Sequence, residues 1–269
     1  MGDITQSLRD PLSLFDVRDK VAVITGASGA FGRACALTLG ALGSKLVLVS
    51  GSADELEAVK AEVAEVGGEA VTFQRRPDSV EDATAIKDFA LQSFGRVDQL
   101  VIASGFNKAG FIQEQDYEVW QSVMDANVKG PWVMAKAIGG YWIENNIKGK
   151  VLLMSSVRGR HGNVSGYTGY CTSKGATDAL TRVLATEWGQ YGITVNAIAP
   201  TVFRSKLTAW MWSDDPLGQA TRKRSLARIP LQRLAEAEDL MGMALYLLSP
   251  ASDFCTGQIM YVDGGFTAG

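Results

Sequence analysis

The 269-residue chain has 26 basic and 29 acidic residues, a net charge of −3, and 46% hydrophobic residues. This charge balance excludes a strongly basic nucleic-acid-binding surface, and the apolar fraction is high enough for a large buried core. The longest charge-free stretch, 188–203, is shorter than a membrane-spanning helix, and the N-terminus lacks the apolar segment of a secretory signal. We therefore expect a soluble, cytoplasmic protein that binds neither nucleic acid nor membrane.

The three cysteines, Cys35, Cys171 and Cys255, are odd in number and far apart along the chain. They lack the close spacing of metal ligands, and we expect free thiols in a reducing cytosol. The sequence therefore predicts no metal site.

Short apolar runs alternate with amphipathic segments after an aperiodic N-terminal tail at 1–17. Apolar, β-branched runs are typical of buried parallel strands, and apolar residues spaced three and four apart are typical of helices. Strands are predicted at 21–25, 45–50, 70–73, 99–103, 150–155, 194–199 and 258–262. Helices are predicted at 31–42, 54–66, 80–94, 117–145 (one long or kinked helix), 172–191 and 239–248.

This repeated strand–helix order predicts one α/β domain over 18–269. Right-handed crossovers between parallel strands place helices on both faces of the sheet. The fold class is thus a Rossmann-like, doubly wound parallel sheet of about seven strands. The segment 201–234 has no clean period, and a loop of that length inside a compact domain is typical of a substrate lid.

A glycine-rich turn, TGASGAFG, joins the first predicted strand to the first long helix. Glycines let the backbone come close to a pyrophosphate, and a helix N-terminus presents free N–H groups to an anion. Such a turn alone fits a purely structural role equally well, but its place between strand and helix favours dinucleotide binding. The expected contacts are Gly26, Ser28, Gly29, Ala30, Phe31 and Gly32.

Tyr170 and Lys174 are four residues apart at a predicted helix start, which places both side chains on one face. A tyrosine with a pKa near 10 is a poor acid or base at neutral pH, and a nearby lysine cation would lower that pKa. An isolated pattern of this kind more often belongs to an ordinary helix with a surface lysine. Two features favour catalysis here: Ser156 follows a predicted strand, and Asn127 is a poor helix former inside a predicted helix.

With these features together, the chain resembles the short-chain dehydrogenase/reductase family over residues 15–269. The resemblance rests on the segments TGASGAFG, DANVKG, LLMSSVRG, GYCTSKGA, GITVNAIAPT and GQIMYVDGG. It implies a catalytic tetrad in which Tyr170 exchanges a proton with the substrate oxygen and Ser156 holds that oxygen. Lys174 would bind the nicotinamide ribose and lower the pKa of Tyr170, and Asn127 would anchor a water in a proton relay. The chain looks most similar to the gluconate 5-dehydrogenase-like and 3-oxoacyl reductase-like branch.

The resemblance implies further cofactor contacts at the ends of two strands. Ser104 and Gly105 stand where the family has NNAG, and the loss of both asparagines removes hydrogen bonds that brace the fourth strand. Pro200, Thr201 and Val202 would lie against the nicotinamide.

The end of the second strand bears on the choice between NAD and NADP, because an acidic residue there binds the ribose 2′-hydroxyl of NAD. The chain has Ser-Gly-Ser at this point and lacks that acid. The hydroxyl groups of Ser50 and Ser52, with Arg75 or Arg33 nearby, would satisfy a 2′-phosphate, so NADP(H) is favoured over NAD(H). The alternative is that Arg75 and the arginine after it form only a solvated loop pair.

Four residues are candidate substrate contacts: Phe106, Asn107, Arg158 and Trp210. The first two follow the fourth strand, Arg158 follows the predicted catalytic serine, and Trp210 belongs to the predicted lid. The part of the lid at 204–228 also carries six cations, which would capture an anionic group or form a solvated face. Its tryptophans would close over a substrate, or would pack the lid onto the body or onto a neighbouring subunit.

The sequence therefore predicts an NAD(P)(H)-dependent oxidoreductase that interconverts a secondary alcohol and a ketone, on an anionic or polyol compound such as a sugar acid. One alternative is a 3-oxoacyl carrier or CoA reductase. An alternative of another class is a non-catalytic nucleotide-binding sensor or scaffold. The resemblance also implies a homotetramer formed through the two long helices and the C-terminal segment.

Overall fold

A computed structural model describes residues 5–269, and residues 1–4 lie outside the described range. A seven-stranded parallel sheet has the strand order β3-β2-β1-β4-β5-β6-β7. The strands are β1 (Val21–Thr25), β2 (Lys45–Ser50), β3 (Glu69–Gln74), β4 (Gln99–Ile102), β5 (Lys150–Met154), β6 (Thr194–Pro200) and β7 (Ile259–Val262). The order reverses between β1 and β4, and ligands of such sheets bind at the carboxyl ends of the strands at this point.

The central strands are buried on both faces, which explains their nearly continuous apolar sequences. Every residue of β1, β4 and β6 is buried. Val23 of β1, for example, is aligned with Val47 of β2 on one side and Leu100 of β4 on the other. This register brings the ends of β1 and β4 together beside the glycine-rich turn.

Helices cover both faces of the sheet, as predicted. Leu39, Leu56 and Leu247 belong to the core on one face, and Ile86 and Ile138 belong to the core on the other. The helices are α1 (Gln6–Arg9), α2 (Ala30–Ala41), α3 (Ala53–Glu65), α4 (Val80–Phe94), α5 (Tyr117–Met124), α6 (Gly130–Glu144), α7 (Thr168–Trp188), α8 (Pro216–Leu226) and α9 (Met241–Leu248).

The predicted sheet and its crossovers are confirmed, but two helical predictions were wrong. The helix expected at 172–191 begins at Thr168, because the N–H of Cys171 donates to the carbonyl of Tyr167 and closes an earlier turn (2.8 Å). The segment 201–234, expected to lack regular structure, contains α8. Asp215 caps this helix by accepting a hydrogen bond from the N–H of Gly218 (3.0 Å), and Pro216 occupies its first turn. The start signal was present, but α8 lacks an apolar stripe that would reveal its period.

The described part of the predicted tail contains α1 and a 3₁₀ helix, Pro11–Phe15. Val17, at its end, is buried in the core, and its carbonyl accepts a hydrogen bond from the Ser44 hydroxyl (2.9 Å). The boundaries 1–17 and 18–269 stay a prediction. Within residues 5–269, the helices are too short or too polar to cross a membrane.

Candidate active site

The glycine-rich turn has the close backbone packing that the sequence predicts. Gly26 has a positive φ of 70°, and a Cβ atom there would lie 2.5 Å from the backbone nitrogen of Ser104. A Cβ atom on Gly32 would lie 2.3 Å from the Gly26 carbonyl oxygen. Only glycine fits at these two positions, because the obstructing atoms belong to the backbone.

The N-terminus of α2 emerges from this turn with no side-chain cap. Gly29 is its N-cap residue, and no side chain accepts a hydrogen bond from the first turn. The unpartnered N–H groups at the start of Ala30–Ala41 are therefore available to an anion. Ser28, in the same turn, lies close enough to the Glu55 carboxylate at the start of α3 to lower its pKa. The turn thus fits the pyrophosphate of a dinucleotide.

Tyr170, Ser156 and Arg158 form a connected group at the carboxyl end of β5. The Ser156 side chain lies close enough to the Tyr170 phenol to lower its pKa. The Ser156 hydroxyl also accepts a hydrogen bond from the backbone N–H of Arg158 (3.1 Å). The neighbouring Ser155 hydroxyl instead donates to the buried carboxylate of Asp178. Of the two adjacent serines, Ser156 is therefore the one directed to the tyrosine, as predicted.

Lys174 lies in the first half of α7 with 3% of its surface exposed. Its Nζ donates to the carbonyl of Met154 (2.7 Å), the last residue of β5, and lies 5.7 Å from the centre of the Tyr170 ring. Burial lowers the pKa of Lys174 to about 8, and the nearby carboxylate of Asp178 opposes this shift. The lysine is thus held beside the tyrosine, as the four-residue spacing predicts.

The electrostatics of Tyr170 differ from the expectation. We expected Lys174 to lower the pKa of Tyr170, but burial raises this pKa above its ordinary value. The nearby Ser156 side chain and the charge of Arg158 both oppose the rise. Desolvation of the half-buried phenol is the largest of these effects. The sequence does not show this burial, so it does not show the sign of the shift.

Asn127 lies where the predicted long helix changes its winding. A π-helical turn, Asp125–Lys129, separates α5 from α6, which confirms the predicted kink. The Asn127 carboxamide accepts from the N–H of Phe106 (2.7 Å) and donates to its carbonyl (2.9 Å) and to the Ser173 hydroxyl (2.9 Å). Asn127 therefore ties the segment after β4 to α7, in the region that the two missing asparagines would have braced.

Gly105 lies between two members of the predicted tetrad. A Cβ atom at Gly105 would come 3.4 Å from Asn127 Oδ1 and 3.8 Å from Lys174 Nζ. The hydroxyl groups of Ser104 and Thr25 are 3.3 Å apart and join the ends of β4 and β1. The predicted tetrad and the predicted cofactor contacts of β4 are thus parts of one contiguous site.

The two arginines that the sequence places near the end of β2 are each paired with a carboxylate. Arg75 forms an ion pair with Asp82 (2.7 Å), and its guanidinium lies over the Phe73 ring. Arg33 is likewise paired, with Glu62 (2.5 Å). Each guanidinium thus has a carboxylate partner in this structure, and its binding to a 2′-phosphate stays a prediction.

The adjacent arginine occupies the predicted position instead. A Cβ atom on Gly51 would lie 2.5 Å from Arg76 Nε, so the Arg76 guanidinium passes directly over this glycine. Ser52 caps α3 by accepting from the N–H of Glu55 (3.4 Å), and the Ser50 hydroxyl donates to the Ser52 carbonyl (3.3 Å). Arg76 is thus the cation that lies over Gly51, directly after β2. The two consecutive arginines after β3 were the signal, but their side-chain directions were not predictable.

The predicted lid begins within the predicted nicotinamide contacts, at the end of β6. Pro200 ends β6, and Thr201 and Val202 follow it. The Val202 carbonyl accepts from the N–H of Ala235 (3.2 Å), which closes the base of the lid. Lys206, within the lid, forms an ion pair with Glu55 (2.5 Å). The lid is thus joined to α3 beside the glycine-rich turn.

The candidate substrate contacts are not all brought to one place. Phe106, 38% exposed, is fixed by Asn127, and the side-chain oxygen of Asn107 is buried without a hydrogen-bond partner in the described residues. Arg158 adjoins Tyr170. Trp210 is 41% exposed, and its backbone carbonyl lies close to Gly218 at the start of α8. Among the described residues, no hydrogen bond joins Trp210 to the tetrad. Its role stays a prediction.

Comparison with known proteins identifies the family of the chain. A family model described as enoyl-(acyl carrier protein) reductase matches residues 26–267. An uncharacterized oxidoreductase of Mycobacterium tuberculosis is 49% identical over 259 residues, covering 96% of this chain and 94% of the relative. Glucose 1-dehydrogenase 2 of Bacillus subtilis is 34% identical, covering 94% and 96%.

Solved structures show the same relationship. The chain resembles a protein from Beutenbergia cavernae, solved with NADP bound at low occupancy and proposed to be an NAD(P)-dependent gluconate 5-dehydrogenase. The TM-score is 0.87 at 30% identity, covering 95% of this chain and 100% of that one. The chain belongs to the short-chain dehydrogenase/reductase family. The predicted family and fold class are therefore confirmed, and the protein is an oxidoreductase of this family.

Proposed function

We propose that this dehydrogenase/reductase interconverts a secondary alcohol and a ketone with NADP(H), and that Tyr170 is the acid/base. The observation that carries the proposal is the convergence of Tyr170, Ser156 and Lys174 at the carboxyl end of β5, beside the glycine-rich turn. A structural helix with a surface lysine does not account for a lysine that is buried beside a tyrosine. A non-catalytic scaffold has no need of this arrangement.

The residues around the turn fit a nicotinamide dinucleotide. The close approach at Gly26 and Gly32 and the uncapped N-terminus of α2 would hold the pyrophosphate, and Pro200, Thr201 and Val202 would line the nicotinamide side. When bound, the cofactor supplies or accepts the hydride. The remaining chemistry belongs to the side chains of this chain.

Proton transfer is assigned to Tyr170. In the reducing direction its phenol donates a proton to the carbonyl oxygen of the substrate, and Ser156 holds that oxygen by a hydrogen bond. Because burial raises the pKa of Tyr170, the phenol is protonated at neutral pH and is ready to act as an acid. Lys174 would bind the ribose of the cofactor from its position beside the ring. Asn127 fixes Phe106 and so shapes the wall of the site.

NADP(H) is preferred in this proposal because a cation, and no carboxylate, lies at the end of β2. Arg76 passes over Gly51, where it would bind a 2′-phosphate together with the hydroxyl groups of Ser50 and Ser52. The relative from Beutenbergia cavernae, which binds NADP, supports this preference.

We propose an anionic or polyol substrate such as a sugar acid. Arg158, half-buried next to Tyr170, supports it, as do the two relatives described as sugar and sugar-acid dehydrogenases. The lid at 201–234, including Trp210, would close over this substrate. We also propose a homotetramer in which α5, α6 and α7 meet their copies, for which light scattering of the purified protein is the test.

The test of the reaction is steady-state reduction of a ketone panel by wild type, Tyr170→Phe and Tyr167→Phe. Tyr167 is the matched control, because its ring lies 6.1 Å from that of Tyr170 but is not hydrogen-bonded to Ser156 in the described residues. We expect Tyr170→Phe to lose at least about a hundredfold in kcat while it still binds cofactor. Retention of a tenth of the rate, or an equal loss in Tyr167→Phe, would refute the assignment.

A further inference from the structure

Two arginines from distant parts of the chain meet on one aromatic ring near the catalytic tyrosine. The guanidinium carbon of Arg158 lies 5.6 Å from the centre of the Phe266 ring, and that of Arg228 lies 4.1 Å from the same centre. Arg158 follows β5, Arg228 follows α8 at the end of the lid, and Phe266 belongs to the C-terminal segment. The fold therefore brings two cations together beside the site, at a place where the sequence shows no cluster.

Neither cation is neutralised within residues 5–269. Arg158 donates to the carbonyl of Gly162 (2.6 Å), and neither guanidinium forms an ion pair with a carboxylate in this part of the chain. Burial lowers the pKa of Arg158, and the charge of Arg228 lowers it further. Arg158 is half-buried and Arg228 is exposed, and the repulsion between two cations beside one ring is relieved when an anion binds between them.

A third polar group at this cluster also lacks a partner. The ring of His161 lies 6.0 Å from that of Phe266, in an edge-to-face arrangement. Its Nε2 is buried and has no hydrogen-bond partner among the described residues. A buried nitrogen without a partner costs free energy, and a ligand oxygen placed beside it would remove that cost.

The cluster is continuous with the reacting groups. The backbone N–H of Arg158 binds the Ser156 hydroxyl, which in turn contacts Tyr170. The charge of Arg158 also acts on the tyrosine, where it opposes the rise in the pKa of Tyr170 that burial causes. Arg158 is therefore one hydrogen bond away from the serine that would hold the carbonyl oxygen of the substrate.

We propose that Arg158 and Arg228, with His161 at their side, bind a carboxylate of the substrate, and that this subsite selects oxo and hydroxy acids over neutral ketones. The inference rests on the proposed function and adds to it the group that the site recognises. Guanidinium groups bind carboxylates through paired, charge-assisted hydrogen bonds. Because Arg228 ends the lid segment that contains α8, a bound carboxylate also ties the lid to the body. The subsite thus couples substrate choice to lid position.

The test compares each of three oxo acids with its methyl ester: 4-oxopentanoate, 5-oxohexanoate and 6-oxoheptanoate. The three lengths sample the distance from carbonyl to carboxylate. We expect the wild-type holoenzyme to have a higher kcat/KM for at least one acid than for its ester. Arg158→Gln and Arg228→Gln should each lower that acid-to-ester ratio about tenfold or more. Arg224→Gln, which removes a charge from the exposed face of α8, should leave the ratio unchanged.

The outcomes separate this inference from the proposed function. Turnover of the ketones without preference for the acids, or an unchanged ratio in both arginine variants, would overturn the subsite and leave the reaction intact. If no ketone is reduced, the reaction fails, and calorimetry of the NADP⁺-loaded protein with glutarate and with glutaramide decides the subsite. Glutarate binding that Arg158→Gln abolishes supports it, and equal or absent binding of the two probes overturns it.

Discussion

Replacement of Arg76 by alanine tests the cofactor preference by the removal of a single guanidinium group. The guanidinium of Arg76 passes over Gly51, at the point where the adenine ribose of a dinucleotide would lie. A hydrogen bond to a charged group contributes about 1.5–3 kcal/mol, and exposure of Arg76 to solvent favours the lower end of that range. Because about 1.4 kcal/mol corresponds to a factor of ten, we expect Arg76→Ala to weaken NADPH binding about tenfold. NADH lacks the 2′-phosphate and should bind the variant as it binds wild type.

Titration of each protein with NADPH and NADH, followed by nicotinamide fluorescence, measures both affinities. Arg75→Ala is the matched control, since Asp82 and Phe73 already hold that arginine. An equal loss of NADPH and NADH affinity in Arg76→Ala would mean that Arg76 supports the fold of the site and does not bind the 2′-phosphate. A tenfold loss in Arg75→Ala would restore the original expectation from the sequence. Tighter binding of NADH than of NADPH by wild type would refute the preference itself.

Two further substitutions test the packing of the site. Gly26→Ala places an alanine in a left-handed backbone conformation and brings its Cβ atom against the Ser104 backbone. The free energy of unfolding, measured with denaturant, should therefore fall by about 2 kcal/mol or more. A variant as stable as wild type would contradict the geometry. Asn127→Ala leaves both backbone groups of Phe106 without their partner, so unfolding should show a loss of about 2–4 kcal/mol. A variant as stable as wild type would contradict this bracing role of Asn127.

The sheet was predictable because each strand carries its own signal. β1 and β2 were predicted to the residue, since a buried parallel strand is apolar throughout and ends abruptly at polar or glycine residues. α8 was missed because it lies on the surface and depends on its Asp-Pro start and on packing against the preceding 3₁₀ turn, not on an apolar stripe.

The site was predictable where chemistry depends on spacing and was not predictable where it depends on side-chain direction. Tyr170 and Lys174 meet because four residues make about one helical turn. Which of the two arginines lies over Gly51 depends on side-chain contacts that the sequence does not show. Arg75 is paired with Asp82, and Arg76 lies over the glycine. The meeting of Arg158 and Arg228 on Phe266 depends on three distant segments, so only the folded chain shows it.

The burial of Lys174 predicts that stability rises with pH. The pKa of Lys174 is about 8 in the folded chain, against an ordinary value of 10.5, so between these values the unfolded chain binds a proton that the folded chain has lost. The free energy of unfolding therefore increases as the pH rises from about 8 to about 10.5, by at most about 3 kcal/mol, and the charged lysine destabilises the fold below that window.

Chemical denaturation of wild type and Lys174→Met, without added cofactor, measures the free energy of unfolding of each. The change with pH of the difference between these two free energies isolates the effect of Lys174. A difference that stays constant between pH 7 and pH 10 would refute the lowered pKa. If the difference changes as expected, the chain keeps a group that costs it stability at neutral pH, while the Met154 carbonyl fixes the ammonium beside Tyr170. A buried charge retained against folding stability is explained by a ligand that uses it, which is the role proposed for Lys174 at the cofactor ribose.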